Sequence, residues 1–191
     1  VRLVGSSEAN LYASVAAGVC ALWGPKHGGA NQAVMAMLKN MVDNDISVDE
    51  VIRRAKDKND NFVLSGFGHR GYKTFDPRAR IAKKMNLEML ASNHIEDKLL
   101  ETALKLEERA LNDDYFIERH LYPNIDFYTG IMFHMMGFPQ EMFTVLFAMG
   151  RTPGWIAHYL EWMHDPYQKI GRPRQVYTGP QGRKVVPLNE R

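Results

Sequence analysis

DPRARIAKKMNLEMLASNHIEDKLLETALKLEERAL, residues 76–111, decides the fold class. Asp76-Pro77 opens it with two helix-start signals: a carboxylate that can accept from an orphan backbone N–H, and a proline whose missing N–H is harmless in the first turn. A helix is expected from there to about Ser92, and a second over 96–111. In the second, Leu99/Leu100, Ala103/Leu104, Glu107/Glu108 and Leu111 recur at the three-and-four spacing of an amphipathic helix. The pattern continues in both directions. Ser6 or Ser7 is expected to cap a helix running to Trp23, where Gly24-Pro25 stops it. Ala33, Met37, Leu38 and Met41 keep helical spacing, and Ser47 with Glu50 forms a capping box ahead of a helix over 48–58. Residues 59–74 read as a loop, with a short extended piece at 62–64. After Pro123, helices are expected near 127–136, 140–149 and 155–163. From Asp165 onward, recurrent Pro and Gly leave an irregular tail. The fold class is all-α.

The 191 residues suffice for a real core, and 45% of them are apolar, which argues against disorder. No apolar run approaches the roughly 18 residues of a membrane helix. A formal charge of +2 supplies no basic stripe for nucleic acid, though a local cationic pocket for small anions is compatible with it. One cysteine, Cys20, inside an apolar helical pattern fits a reducing compartment and argues against a disulfide scaffold. Neither a His-Glu-x-x-His nor a paired Cys-x-x-Cys pattern points to a metal. Composition does not shift along the chain, so a boundary between helical layers, at 44–47 or 137–139, has only weak support.

Three breaks between helices each carry one proton-handling side chain: Gly24-Pro25-Lys26-His27-Gly28-Gly29-Ala30-Asn31, Gly66-Phe67-Gly68-His69, and Tyr122-Pro123-Asn124-Ile125-Asp126. Two imidazoles and a carboxylate can move protons on and off carbon and oxygen near neutral pH. Two readings stand at each position. His27 is either a turn histidine bonded to backbone or, neutral at a helix start, a donor to an oxygen that becomes anionic. His69, crowded by Arg70, Lys73 and Arg78, is either a solvated loop residue or a neutral imidazole that polarises a carbonyl. Asp126 is either an N-cap or a general base with one oxygen free. Arg78, Arg151 and Arg172 are candidate carboxylate binders through the guanidinium fork. Arg151 lies between Gly150 and Thr152-Pro153-Gly154, at an expected break between helices. Arg172 and Arg174 bracket Pro173 in a loop that could reach a neighbouring subunit. The other histidines and the Met/Phe set at 135–149 read as packing or surface, and Ser65 lacks the context of a hydrolase nucleophile.

Taken in order, these loops resemble citrate synthase, specifically its bacterial type II. The resemblance covers essentially the whole chain. It is dense in G-P-K-H-G-G-A-N, G-F-G-H-R-G-Y-K-T-F-D-P-R, L-Y-P-N-I-D-F-Y-T-G, G-W-I-A-H and R-P-R-Q-V-Y-T-G. It implies an all-helical, two-domain fold that acts as a homodimer or a dimer-based hexamer in the cytoplasm. The expected division is a large domain at 1–40 and 144–191 and a small domain at 41–143. The implied reaction condenses acetyl-CoA with oxaloacetate and hydrolyses citryl-CoA, with acetyl-CoA as substrate and no resident cofactor, metal, nucleic acid or membrane partner. By resemblance, Asp126 takes the methyl proton of acetyl-CoA, His27 stabilises the enol or enolate, and His69 polarises the oxaloacetate carbonyl. Arg78 and Arg151 hold carboxylates, Arg172 serves the neighbouring subunit's site, and Lys73 stands near coenzyme A. An oxaloacetate-binding histidine of the family would lie upstream of Val1, so the chain is expected to be a C-terminal portion with little or no activity alone. The alternatives are a 2-methylcitrate synthase using propionyl-CoA and a non-catalytic helical interaction module. Arg70-Gly71-Tyr72-Lys73 and Tyr128-Thr129-Gly130 fit citrate synthase better than the former.

Overall fold

The computed structural model describes residues 1–24, 27–93 and 96–191, and among them the regular structure is helical. The elements are α1 (Arg2–Gly5), α2 (Leu11–Trp23), α3 (Ala30–Asp43), α4 (Val48–Lys56), α5 (Pro77–Asn93), α6 (Lys98–Leu111), α7 (Asp114–Glu118), α8 (Ile125–Met135) and α9 (Phe143–Met163). Pro25 and Lys26 of the first loop, and His94, lie outside the described residues.

Side-chain caps set most helix starts. Asp97 accepts from Leu99 and Leu100 N–H and so starts α6 two residues later than the spacing suggests. Asn10, rather than Ser6 or Ser7, caps α2 by accepting from Ala13 N–H, while both serines bond back to carbonyls of the preceding turn. Ser47 accepts from Glu50 N–H as expected, but the Glu50 carboxylate turns to Arg53, so only half of the capping box forms. The break expected near 150–154 does not occur: α9 runs unbroken through Gly150, Pro153 and Gly154. Proline removes one backbone donor there without ending the helix. The Thr152 hydroxyl donates back to Ala148 O at 2.8 Å, a local bond compatible with helical continuation.

The core lies between α3, α4, α5, α6 and α8. Val34, Met35 and Leu38 of α3 pack with Leu100, Ala103 and Leu106 of α6 and with Phe127, Tyr128 and Ile131 of α8. Burying side chains of this size stabilises by about 1.5–3 kcal/mol each. At the crossing of α3 and α8, Gly130 has no room for a side chain, since a Cβ would lie 2.9 Å from Asn31 O and from Met35 Cγ. A polar cluster is buried in the same core. Glu107 of α6 accepts from the Tyr128 hydroxyl at 2.6 Å and from the Lys83 ammonium of α5, and Asn86 Nδ2 donates to Tyr128 O at 3.0 Å. Burial, then the bond to Glu107, pushes the Tyr128 phenol well above its ordinary range. α1, α2 and α9 form a second group, packed on one another.

Candidate active site

The loop at 66–69 and the start of α8 are clasped by backbone pairing. Gly68 N–H donates to Tyr122 O and Asn124 N–H to Gly66 O, both at 2.8 Å, and Asn124 Nδ2 donates to Gly68 O at 2.9 Å. Gly66 makes this approach possible. Its φ is +83°, and a Cβ would sit 2.7 Å from Val34 and 2.8 Å from Phe127. Two segments 56 residues apart in sequence therefore carry His69 and Asp126 as one rigid unit.

Asn124 also removes the capping reading of Asp126. Its Oδ1 accepts from Asp126 N–H at 3.0 Å and is the cap of α8. The Asp126 carboxylate is thereby left without a hydrogen bond among the described residues, half-buried and open to a ligand. Burial raises its pKa above the usual carboxylate range. Arg78 opposes that shift, Asp76 adds to it, and His69 and Arg151 oppose it more weakly. One carboxylate thus lies in the fields of His69, Arg78 and Arg151, which come from three separate parts of the chain. A raised carboxylate is the stronger base, which suits proton abstraction from a weak carbon acid.

Asp76, read from sequence as a helix cap, does more than cap. It is 1% exposed. Its Oδ1 accepts from Arg78 N–H and Arg78 Nε, each at 3.0 Å; its Oδ2 accepts from Arg78 Nη2 at 2.9 Å and from Ile125 N–H at 3.1 Å. Burial alone would raise this carboxyl, but the bonds from Arg78 outweigh it and hold Asp76 below its ordinary range. The same ion pair raises Arg78. Asp76 joins the arginine that flanks the site to the first turn of the helix that carries Asp126. Nη1 of Arg78 has no partner among the described residues and is free for a ligand carboxylate.

His69 is exposed, yet oriented. Its Nδ1 accepts from Gly71 N–H and Tyr72 N–H, each at 3.0 Å. A nitrogen that accepts two bonds carries no proton, so the neutral ring is the Nε2–H tautomer. Arg78 Nη2 lies 3.4 Å from that Nε2. Two donors stand side by side with no acceptor between them, which is the arrangement needed to receive adjacent ligand oxygens.

The remaining candidates are more dispersed. His27 is exposed, and its Nδ1–H donates to Ala21 O at 2.7 Å. It makes no hydrogen bond or ring contact with His69, Arg78 or Asp126, and with Nδ1–H so engaged the neutral ring offers Nε2 only as an acceptor. The α9 helix holds Arg151 with its guanidinium 4.1 Å from the Phe147 ring centre. Lys73 and Arg172 are exposed and take no partner among the described residues. Sequence reasoning missed Asn124 as the residue that frees Asp126 and Asp76 as the link to Arg78. The signal for Asn124 was present, since Asn is a preferred cap and stands two residues ahead of the candidate base.

Comparison with known proteins adds an independent line. The family model described as "Citrate synthase, C-terminal domain" matches residues 1–174. The whole chain is 56% identical over 191 residues to Citrate synthase 1 of Mycobacterium tuberculosis, and spans 44% of that protein's length. Among solved structures, citrate synthase from Pyrobaculum aerophilum matches all of the chain with 46% of its own, at 39% identity and a TM-score of 0.86. A ternary complex of the Thermoplasma acidophilum citrate synthase with carboxymethyl coenzyme A and oxaloacetate matches all of the chain with 49% of its own, at 37% identity and a TM-score of 0.82.

Proposed function

The chain belongs to the citrate synthase family, and from that membership we propose that the full-length protein condenses acetyl-CoA with oxaloacetate and hydrolyses citryl-CoA to citrate and CoA, the entry step of the tricarboxylic acid cycle. The observation that carries this reading for the chain itself is the free, half-buried carboxylate of Asp126 beside the Arg78–His69 pair. Asp126 takes a proton from the acetyl methyl group. The enolate carbon then forms a bond to the keto carbon of oxaloacetate, whose carbonyl oxygen is polarised by the hydrogen bond from His69 Nε2–H; the alkoxide that forms ends as the hydroxyl of the product, with the proton that Asp126 removed. Arg78, through its free Nη1, and Arg151 grip the substrate carboxylates. Water finally cleaves the thioester, releasing the thiol of CoA and leaving citrate with a new carboxylate.

A thioester methyl group is a very weak acid, so a donor at the enolate oxygen has to share the work; losing one such donor typically costs about 2.7–4 kcal/mol of barrier. His27 is the proposed donor. Because its Nδ1–H is engaged by Ala21 O, that role requires the ring to turn or change tautomer when acetyl-CoA is bound. Lys73 is proposed to meet the coenzyme, and Arg172, on the exposed tail, the site of a neighbouring subunit in a homodimer or dimer-based hexamer. The domain division at 40/41 and 143/144 and a cytoplasmic location belong to the same reading; among the described residues no helix is long and apolar enough to cross a membrane. One detail of packing bears on the division: α3, which starts at Ala30, packs on α6 and α8. Nothing observed favours propionyl-CoA or a non-catalytic module.

Asp126→Ala in the full-length protein tests the proposal. Citrate formation is expected to fall by about 10²–10⁴-fold, the usual worth of a general base, while oxaloacetate still binds by calorimetry. Turnover at the normal rate would refute the assignment.

A further inference from the structure

We propose that Tyr72 is a positioning residue: its ring holds His69 and Arg78 together as a paired donor for the keto acid. The inference rests on the function proposed above. His69 sits on an exposed loop, so no core packing fixes its plane. Two backbone N–H bonds to Nδ1 fix one edge of the imidazole, but they leave it free to rock about that edge. The Tyr72 ring closes this freedom, lying 4.7 Å from the imidazole centre at an angle of 37°.

The same ring takes the Arg78 guanidinium on its face, 5.6 Å from its centre. That contact offsets an unfavourable one. Arg78 Nη2 and the Nε2–H of His69 are both donors and stand 3.4 Å apart, so in the absence of ligand they repel. Asp76 restrains the arginine from one side, and the negative face of the Tyr72 ring attracts it from another. The pair is therefore ordered before the substrate oxygens arrive, and ordering in advance is what orientation contributes to a rate.

A purely structural role for Tyr72 does not fit its surroundings. The same loop sends Phe67 and Phe75 against the hydrophobic core, whereas Tyr72 is 37% exposed. Its hydroxyl has no hydrogen-bond partner among the described residues, so the face of the ring is the part engaged. His69, Tyr72 and Arg78 contact one another pairwise, and two of the three face the proposed substrate.

The test compares Tyr72→Leu, Tyr72→Ala and Tyr72→Phe in the full-length protein. It reads kcat, the separate KM values for oxaloacetate and acetyl-CoA, and the infrared carbonyl stretch of bound oxaloacetate. Tyr72→Leu and Tyr72→Ala are expected to lower kcat/KM for oxaloacetate by about five- to thirtyfold. The carbonyl stretch should move toward that of free oxaloacetate, with KM for acetyl-CoA and the melting temperature unchanged. Tyr72→Phe should recover both the constant and the stretch, and the Leu variant separates ring face from bulk should Ala fail to fold. Wild-type kcat/KM and carbonyl stretch in Tyr72→Leu would overturn the inference while leaving the proposed function intact, as would an equal loss in Tyr72→Phe. A wild-type protein that forms no citrate would remove both.

Discussion

The helices α3–α8 and the group formed by α1, α2 and α9 are built from similar residues and packed in different ways. In the first group, Val34, Leu38, Leu100, Leu106, Phe127 and Ile131 are fully enclosed. In the second, α2 buries only Ser14, Gly18 and Leu22, a narrow stripe one turn apart, and α9 buries only Phe143. α2 meets α9 where a Cβ on Gly18 would lie 3.1 Å from Trp155. The α1–α9 contact includes the Arg2–Glu161 ion pair and a bond from Arg2 Nε to His158 Nδ1 at 3.1 Å. Trp23 is 80% exposed and Met149 64%, and a cavity of about 660 Å³ opens between α2, α3 and α9, beside Trp23, Gln32 and Thr144. Apolar content alone did not determine burial. The first group closes on itself beneath the candidate site, whereas the second leaves apolar surface uncovered in the isolated chain, which favours association.

The sharpest way to break this contrast is to cut into the enclosed group. Leu100→Ala is expected to cost about 2–5 kcal/mol in urea melts, as buried leucines do; a loss below about 1 kcal/mol would mean the core is looser than described. Next in size come the two carboxylates flanking Arg78, which should respond to pH with opposite signs. Folding lowers the pKa of Asp76, so its stabilisation is present above the ordinary carboxylate range and is lost as pH falls through the lowered value. Asp76→Asn should cost about 1–3 kcal/mol at pH 7 and little in acid. Folding raises Asp126, so its contribution is complete at low pH and is lost as pH rises through the raised value. Asp126→Asn should therefore raise the melting temperature at pH 7 and leave it unchanged in acid. Matching signs for the two variants would contradict the geometry.

A smaller effect probes the buried cluster behind α8. Tyr128→Phe removes the donor to Glu107 but leaves Lys83 in place, and is expected to cost about 1 kcal/mol by calorimetry. The smallest change in stability belongs to the open group. Trp23→Ser and Met149→Ser should shift unfolding by no more than about 0.5 kcal/mol while reducing self-association of the chain in sedimentation. Destabilisation as large as that of Leu100→Ala would erase the distinction between the two groups.

The helical architecture was legible because caps and apolar spacing are local signals. Asp76-Pro77 and Ser47 start helices where they stand in the sequence. What escaped the sequence depends on partners far along the chain. Helical spacing sets Glu107 in line with Leu100, Ala103 and Leu104, but nothing local says that it is buried there and meets Lys83 and Tyr128 from two other helices. Proline and two glycines at 150–154 read as a break, yet the helix persists through them. In the site, His69, Arg78 and Asp126 were nameable from the sequence, but not that Arg78 and His69 bear on the Asp126 carboxylate. The office of Asp76 was not nameable, because its fourth hydrogen bond goes to Ile125, 49 residues away.

The clasp between 66–68 and 122–124 has a consequence for what the chain tolerates. The clasp is a single antiparallel bridge between Phe67 and Pro123, held by bonds at Gly66, Gly68, Tyr122 and Asn124, so one added or deleted residue next to it displaces His69 or Asp126 relative to the other. Substitution near His69 and Asp126 can be graded, but a change in segment length cannot. Spacing from Gly66 to His69 and from Tyr122 to Asp126 is thus as much a part of the chemistry as the side chains themselves.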